Sequence, residues 1–319
     1  MDVTELATVK AILAANPFGQ ARPLWMLRDF FDYMPRGLGM PDAPLRILRL
    51  VANGVSGLEI IPQDAKPGKV LIYLHGGAFL AGSPASHRHL AAKIAVETGL
   101  TTWLMDYRLA PEAPFPAAID DAMATYQHAL DSGIRPADVV LAGDSAGAGL
   151  CLLLMLRLRD EGLPLPAAAA LLSPWVDLTC SGDTYRTNAH LDPLINRQGM
   201  QQAATIFLAG RASPESPAAS PLFADLSGLP PLLIQVGGDE TLLDDSRALA
   251  SWATLCGVDV RLECSPMMVH VWQLFWPTLS EARDAIGELS AFLVSTLEGP
   301  LDAGLAPGNL GVEGDEKHP

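Results

Sequence analysis

From Leu45 onward, short apolar runs alternate with longer stretches whose apolar residues recur at helical spacing. The runs 47–51, 58–61, 70–74, 101–106, 139–142, 168–172, 232–236 and 258–262 read as eight strands. The central ones are apolar without alternation, the pattern of parallel strands covered on both faces. Helical stretches at 85–98, 116–132, 150–161 and 244–256 separate most of them. This alternation predicts an α/β fold with an open, mostly parallel sheet flanked by helices. Eight strands could also close into a barrel. The first two, however, read as a hairpin around Asn53-Gly54, which suits an open sheet.

Two segments stand outside the alternation. Residues 1–45 carry helical stripes, first Val3, Leu6, Val9 and Leu13, then Leu24, Leu27, Phe31 and Met34, with Trp25, Phe30 and Tyr33 beside them. Residues 179–220 form a polar-to-mixed insertion between two strands. Both fit a helical cap over the C-terminal edge of the sheet in a catalytic domain spanning 46–297. Helices packed on the flank of that domain are the plainer alternative. From 298 to 319 the chain is rich in Gly, Pro and acidic residues, a composition that predicts a disordered tail.

With 319 residues, 49% of them hydrophobic, the chain can bury the core of one large α/β domain. No apolar run approaches the roughly 18 residues that span a bilayer. The opening Met1-Asp2-Val3-Thr4-Glu5 lacks the basic start of a secretory signal, so a cytoplasmic protein is expected. Cys151, Cys180, Cys256 and Cys264 form no CxxC pair and read as reduced thiols, packed as small hydrophobes. A formal net charge of -15 argues against nucleic acid or an anionic membrane as a partner.

The chemistry centres on Gly143-Asp144-Ser145-Ala146-Gly147, set between a strand and a helix. Glycines two residues either side of a serine at that junction make a nucleophile elbow, because so sharp a turn leaves no room for a Cβ. An acyl-transfer serine needs a base, an orienting acid and oxyanion donors. His270 follows the last strand by a short loop and is the candidate base. His75 belongs to a separate motif and reads as a loop brace, while His318 lies in the tail. His87 and His89 read as an exposed helix start with no third metal ligand in view, and His128 and His190 lie in a helix and in the insertion. Asp239, just after strand 232–236 and Gly237-Gly238, is the candidate acid. Asp244 and Asp245 are rivals that read as caps of the next helix. The order Ser145, Asp239, His270 is that of α/β-hydrolases. The backbone N–H groups of Gly76 and Gly77, in His75-Gly76-Gly77-Ala78-Phe79 after strand 70–74, are candidate oxyanion donors, with Ala146 as the third.

Five ordered motifs, HGGAF, DYRLAPEAPFPAA (106–118), GDSAG, SPWVDL (173–178) and HVWQLF (270–275), together resemble the bacterial hormone-sensitive-lipase family of esterases over about residues 45–295. The resemblance implies an α/β-hydrolase fold with a helical cap and hydrolysis of carboxylic esters without metal or cofactor. It carries the triad onto Ser145, Asp239 and His270 and the oxyanion donors onto Gly76, Gly77 and Ala146. Three positions depart from the family's pattern: Ala78 replaces a third glycine, Ala113 stands where many members have histidine, and Glu240 follows the acid where proline is frequent. The expected partner is a small-molecule ester of short to medium acyl chain, and a homodimer is left open. An arylformamidase-like amide hydrolase would use the same groups. Plant gibberellin receptors of similar fold bind a small ligand without hydrolysis, but lack the histidine that His270 supplies. An interfacial lipase fits less well, because no long amphipathic apolar segment is present.

Overall fold

Four strands with no residue open to water form the middle of the sheet: β3 (Val70–Leu74), β5 (Val139–Asp144), β6 (Ala168–Leu172) and β7 (Leu232–Gly237). Strands of this kind require cover on both faces. In the computed structural model, which describes residues 3–15 and 23–298, helices supply it. α3 (Pro84–Thr98) packs on α9 (Ser280–Glu298), α4 (Ala117–Asp131) packs on α5 (Ala146–Asp160), and α8 (Leu243–Leu255) lies against the last strands. The expected tail lies, beyond Glu298, outside the described residues.

The sheet has eight strands in the order β1-β2-β4-β3-β5-β6-β7-β8, completed by β1 (Leu45–Ala52), β2 (Val55–Pro62), β4 (Thr101–Met105) and β8 (Val260–Ser265). Only β2 runs against its neighbours. The β1–β2 hairpin turns at Asn53 (φ 46°) and Gly54 (φ 91°), the two positive angles that a tight, twist-matched hairpin needs. β8 begins two residues later than the apolar run suggests. The N–H of Val258 is still donated to Ala253 O at the end of α8, so pairing with β7 starts only at Val260.

Two helical segments approach the C-terminal edge of the sheet. α1 (Val3–Ala14) buries Leu6, Val9 and Leu13 and is pinned by an ion pair from Lys10 Nζ to Asp239 Oδ2 at 2.6 Å. α2 (Leu24–Tyr33) is tied down by Arg28, whose guanidinium grips both carboxylate oxygens of Glu112 at 2.8 and 2.7 Å and also reaches Leu80 O and Ala110 O. The 106–118 loop is thus a structural anchor for α2. The insertion after β6 adds the single turn α6 (Thr184–Thr187) and α7 (Arg197–Leu208).

Three sequence expectations are corrected here. His87 and His89 are not an exposed helix start: both are buried, because the first turns of α3 tuck beneath the loop that follows β3. Asp244 and Asp245 do not cap α8. Asp244 accepts from Thr184 N in the insertion (3.0 Å) and Asp245 from Val176 N and Asp177 N in the segment leading into it (3.3 and 3.2 Å). Among the cysteines, all free, Cys151 and Cys180 are buried as expected, but Cys264 is exposed on the edge strand. Among the described residues no helix is long and apolar enough to cross a membrane.

One glycine that carries no motif role is fixed by packing. A Cβ on Gly149 in α5 would stand 2.3 Å from Trp175 O. Helix propensity favours alanine there by about 1 kcal/mol. Overpacking against main-chain atoms, which cannot rotate away, costs about 1–3 kcal/mol and wins. Gly149→Ala is therefore expected to lower the midpoint of urea unfolding. A midpoint unchanged or raised would contradict this close contact.

Candidate active site

The elbow forms because β5 and α5 both close on β3 at van der Waals range. A Cβ on Gly147 would meet Leu74 O at 2.0 Å, and one on Gly143 would meet Leu74 O and Gly147 C at 2.7 Å. The turn is completed by Ser145 itself, held at φ 52°, ψ -119°, a region non-glycine residues seldom occupy and a mark of stored strain. Its N–H is satisfied by Leu172 O at 2.8 Å, and α5 begins at the next residue, Ala146. The Ala146 N–H is therefore one of the donors a helix start leaves without a partner in its own helix.

The loop after β3 carries the other donors, with one change from expectation. The N–H of Gly76 is donated to Asp144 Oδ1 at 3.0 Å, so it is not an oxyanion donor. Gly77 and Ala78 come next and both line the pocket that holds Ser145. Gly77 (φ 115°), Ala78 (φ 55°) and Phe79 (φ 61°) form a run of positive angles, closed by Leu80 N and Ala81 N on Gly77 O. A Cβ on Gly77 would lie 2.2 Å from Ala81 O, which explains the glycine. Ala78 keeps the N–H that the family's third glycine would supply. Gly77 and Ala78 therefore line the cavity beside Ser145, and Ala146 follows Ser145 at the start of α5. His75 braces the loop as expected: its Nδ1 meets Gly76 O at 2.8 Å and its ring stacks on Tyr107 at 4.3 Å. Burial, with the neighbouring His87, lowers its pKa to about 3, so it stays neutral.

His270 also lines the pocket, and its Nδ1 is bonded at 2.8 Å to Glu240 Oε2, not to Asp239. Consecutive carboxylates in the loop after β7 point in opposite directions. Asp239 turns out to Lys10, while Glu240 turns inward and is fully buried. Glu240 Oε1 accepts from Gly237 N and Ser173 Oγ, both at 2.6 Å, and Ser173 Oγ accepts in turn from Val271 N at 3.1 Å. Gly237 is bare because a Cβ there would strike Met268 O at 2.2 Å. Ser173, the first residue of SPWVDL, is thus a positioning residue that sequence reading left without a role. Burial pulls the pKa of His270 down, but the bond and charge of Glu240, with the charges of Asp192 and Asp144, outweigh it and leave the ring above its ordinary value of 6.5. Ser145 Oγ and His270 face the same cavity without a hydrogen bond to each other among the described residues.

The cavity is narrow and apolar. Leu13, Phe30, Phe31 and Met34 from α1, α2 and the turn after it form one wall, and Leu194, Ile195 and Met200 from the insertion form another. The described residues hold no cluster of three or more groups that could bind a metal ion.

Comparison with known proteins bears on the family and the fold. The model of a family described by its alpha/beta hydrolase fold matches residues 71–274. An acetyl-hydrolase of Streptomyces hygroscopicus is 42% identical over 292 residues, 91% of this chain and 96% of the relative. An esterase of Acinetobacter venetianus is 38% identical over 255 residues, covering 80% and 83% of the two chains. Among solved structures, an esterase from the bacterial hormone-sensitive lipase family superposes with a TM-score of 0.90 at 41% identity, covering 93% of this chain and 99% of its own. EstE5, in crystals soaked with p-nitrophenyl butyrate, gives 0.87 at 39% identity, covering 92% and 99%.

The two neighbouring carboxylates can be separated by experiment. Glu240→Gln is expected to lower kcat by about 10³- to 10⁴-fold, the scale seen when the acid of a serine triad becomes an amide. Asp239→Asn should leave kcat within about tenfold, since Asp239 only holds α1. The reverse ranking would return the acid to Asp239.

Proposed function

Because the chain belongs to the bacterial hormone-sensitive-lipase family of α/β-hydrolase-fold esterases and is, like them, a serine hydrolase of carboxylic esters, we propose that Ser145, His270 and Glu240 are its triad and that short acyl esters are its substrates. The observation that carries the triad is the 2.8 Å bond from His270 Nδ1 to buried Glu240, on the wall of the cavity that holds Ser145. It fixes the tautomer whose Nε2 is free to take a proton.

In the first step Ser145 Oγ attacks the ester carbonyl as His270 Nε2 takes its proton. The negative charge that develops on the carbonyl oxygen is met by the N–H groups of Gly77, Ala78 and Ala146. His270, now protonated and stabilised by Glu240, delivers that proton to the leaving alcohol and leaves an acyl group on Ser145. Water enters, loses a proton to His270 and attacks the acyl carbon; collapse of the second intermediate returns the proton to Ser145 and frees the acid. Every proton passes through one imidazole.

The acyl limit rests on the cap. The two N-terminal helices and the 179–220 insertion act as that cap, because their apolar side chains close the site from two sides. They leave a narrow cavity of about 30 Å³, room for about two water-sized groups, which favours short acyl chains over long ones. A relative named as an acetyl-hydrolase, and another whose crystals were soaked with a butyrate ester, are in keeping with that range.

A p-nitrophenyl ester series from acetate to laurate is expected to peak at the short end, and an optimum at long, emulsified esters would overturn the acyl assignment. Ser145→Ala should abolish turnover with the fold retained, whereas residual activity above a few per cent of wild type would remove Ser145 as nucleophile. Since only the neutral imidazole is a base, kcat/KM should rise with pH through a midpoint above 6.5, the direction in which Glu240 moves His270. A midpoint below 6.5 would contradict the buried pair.

A further inference from the structure

Asp144 is the second residue of the GDSAG motif and the one the mechanism above does not use. It is buried directly behind the nucleophile, and two strands, a loop and a helix converge on its carboxylate. Oδ1 accepts from Tyr73 OH at 2.8 Å and from Gly76 N at 3.0 Å, and Oδ2 lies 3.3 Å from His87 Nε2. The approach of the 76–78 loop is so close that a Cβ on Gly76 would overlap Asp144 Oδ2 at 2.2 Å. A carboxylate accepting an N–H is a stronger and shorter tether than a neutral acceptor.

The consequence lies one and two residues further on. Gly76 N–H is held by Asp144, and Gly77 O is closed by the N–H groups of Leu80 and Ala81. With both flanks fixed, the backbone that carries the Gly77 and Ala78 N–H groups, in two residues that line the cavity, has little freedom to turn. Asp144 is also the residue immediately before Ser145, so a single side chain fixes the position of the donors relative to the nucleophile. We propose that Asp144 is the positioning residue of the oxyanion site, clamping the 76–78 loop through Gly76 N–H so that its donors meet the transition state rather than the bound ester. The proposal rests on the Ser145 mechanism given above.

The groups facing Asp144 give the clamp its setting. Tyr73, His75 and Tyr107 lie on the β3 and β4 sides, His87 on α3 and Cys151 on α5. Burial alone would push the carboxyl up. The charge and bond of His87 and the bond from the Tyr73 hydroxyl hold it below its ordinary value, so it remains an anion. That anion is also one of three, with Glu240 and Asp192, that raise His270. Clamp and charge are thus separable by substitution. Asparagine keeps an oxygen for Gly76 N–H and removes the charge; alanine removes both.

The experiment compares wild type, Asp144→Asn and Asp144→Ala in kcat, KM, pH profile and inhibition by a short alkylboronic acid, which forms a tetrahedral adduct on a reactive serine. Asp144→Ala is expected to lose about 10²-fold in kcat, the scale of one misplaced oxyanion donor. Boronate affinity should fall in parallel, while KM stays nearly unchanged. Asp144→Asn should recover most of kcat and boronate affinity, with the acid limb of kcat/KM moved to lower pH. If the alanine variant does not fold, Asp144→Ser, with a buried hydroxyl too short to reach Gly76, takes its place with the same expectation. Wild-type kcat and boronate affinity in the alanine or serine variant would overturn the proposal, as would an asparagine variant as impaired as alanine. Failure of the underlying mechanism shows separately, as turnover that survives Ser145→Ala in the otherwise wild-type chain.

Discussion

The close packing of the elbow against β3, where a Cβ on Gly147 would fall 2.0 Å from Leu74 O, is what the rest of the site depends on. Gly147 and Gly143 stand so near Leu74 O that neither can carry a side chain. This approach drives Ser145 into a positive φ, because no relaxed path joins a buried strand to a helix starting one residue later. The same approach brings the loop after β3 within reach of Asp144 and leaves the Ala146 N–H at a helix start. The covering helices and the fully buried strands supply the stability that holds a strained residue in place. A looser junction would have relaxed the serine and separated it from its donors together.

Charge is used sparingly inside this acidic protein, and each buried carboxylate has a defined set of partners. Glu240 is held by Gly237, Ser173 and His270; Asp144 by Tyr73, Gly76 and His87; Asp192 by the N–H groups of Leu194, Ile195 and Thr241. A buried anion without such partners would be expelled or protonated. Satisfied as they are, these three together raise the pKa of the His270 imidazole above its ordinary value. Lys10 and Asp239 act differently, as a partly exposed pair that fastens α1 beside the acid. Asp192 links the two themes, since the insertion segment it orders supplies Leu194 and Ile195 to the cavity wall while its other oxygen holds Thr241 next to the acid.

Much of this was legible in the sequence. The eight strands, the hairpin at Asn53-Gly54, the elbow at Ser145 and the place of His270 near that elbow all follow from apolar period, glycine placement and chain order, which are local signals. The carboxylate bonded to His270 was misread by one residue. Asp239 and Glu240 are adjacent, chemically alike and equally placed after β7, and only the direction each side chain takes separates them. Gly76 was misread for a similar reason, since nothing local indicates that its N–H is already donated to Asp144. His87 and His89 look like a polar helix start until the helix is docked under the loop after β3, where their rings stack and bond with buried groups.

The sequence by itself therefore determined the architecture and the place of the elbow at Ser145, because a strand without a polar face and a turn without a Cβ impose their geometry whatever surrounds them. Tertiary structure decided which carboxylate is bonded to His270, which N–H of the loop after β3 is already donated and which side chains line the cavity at Ser145. Those are questions of direction and of distance between segments far apart in the chain, as with Lys10 and Asp239 or Asp144 and Gly76. Hydrogen-bonding capacity is written in the residue, but whether it is already spent is settled only when the partner arrives.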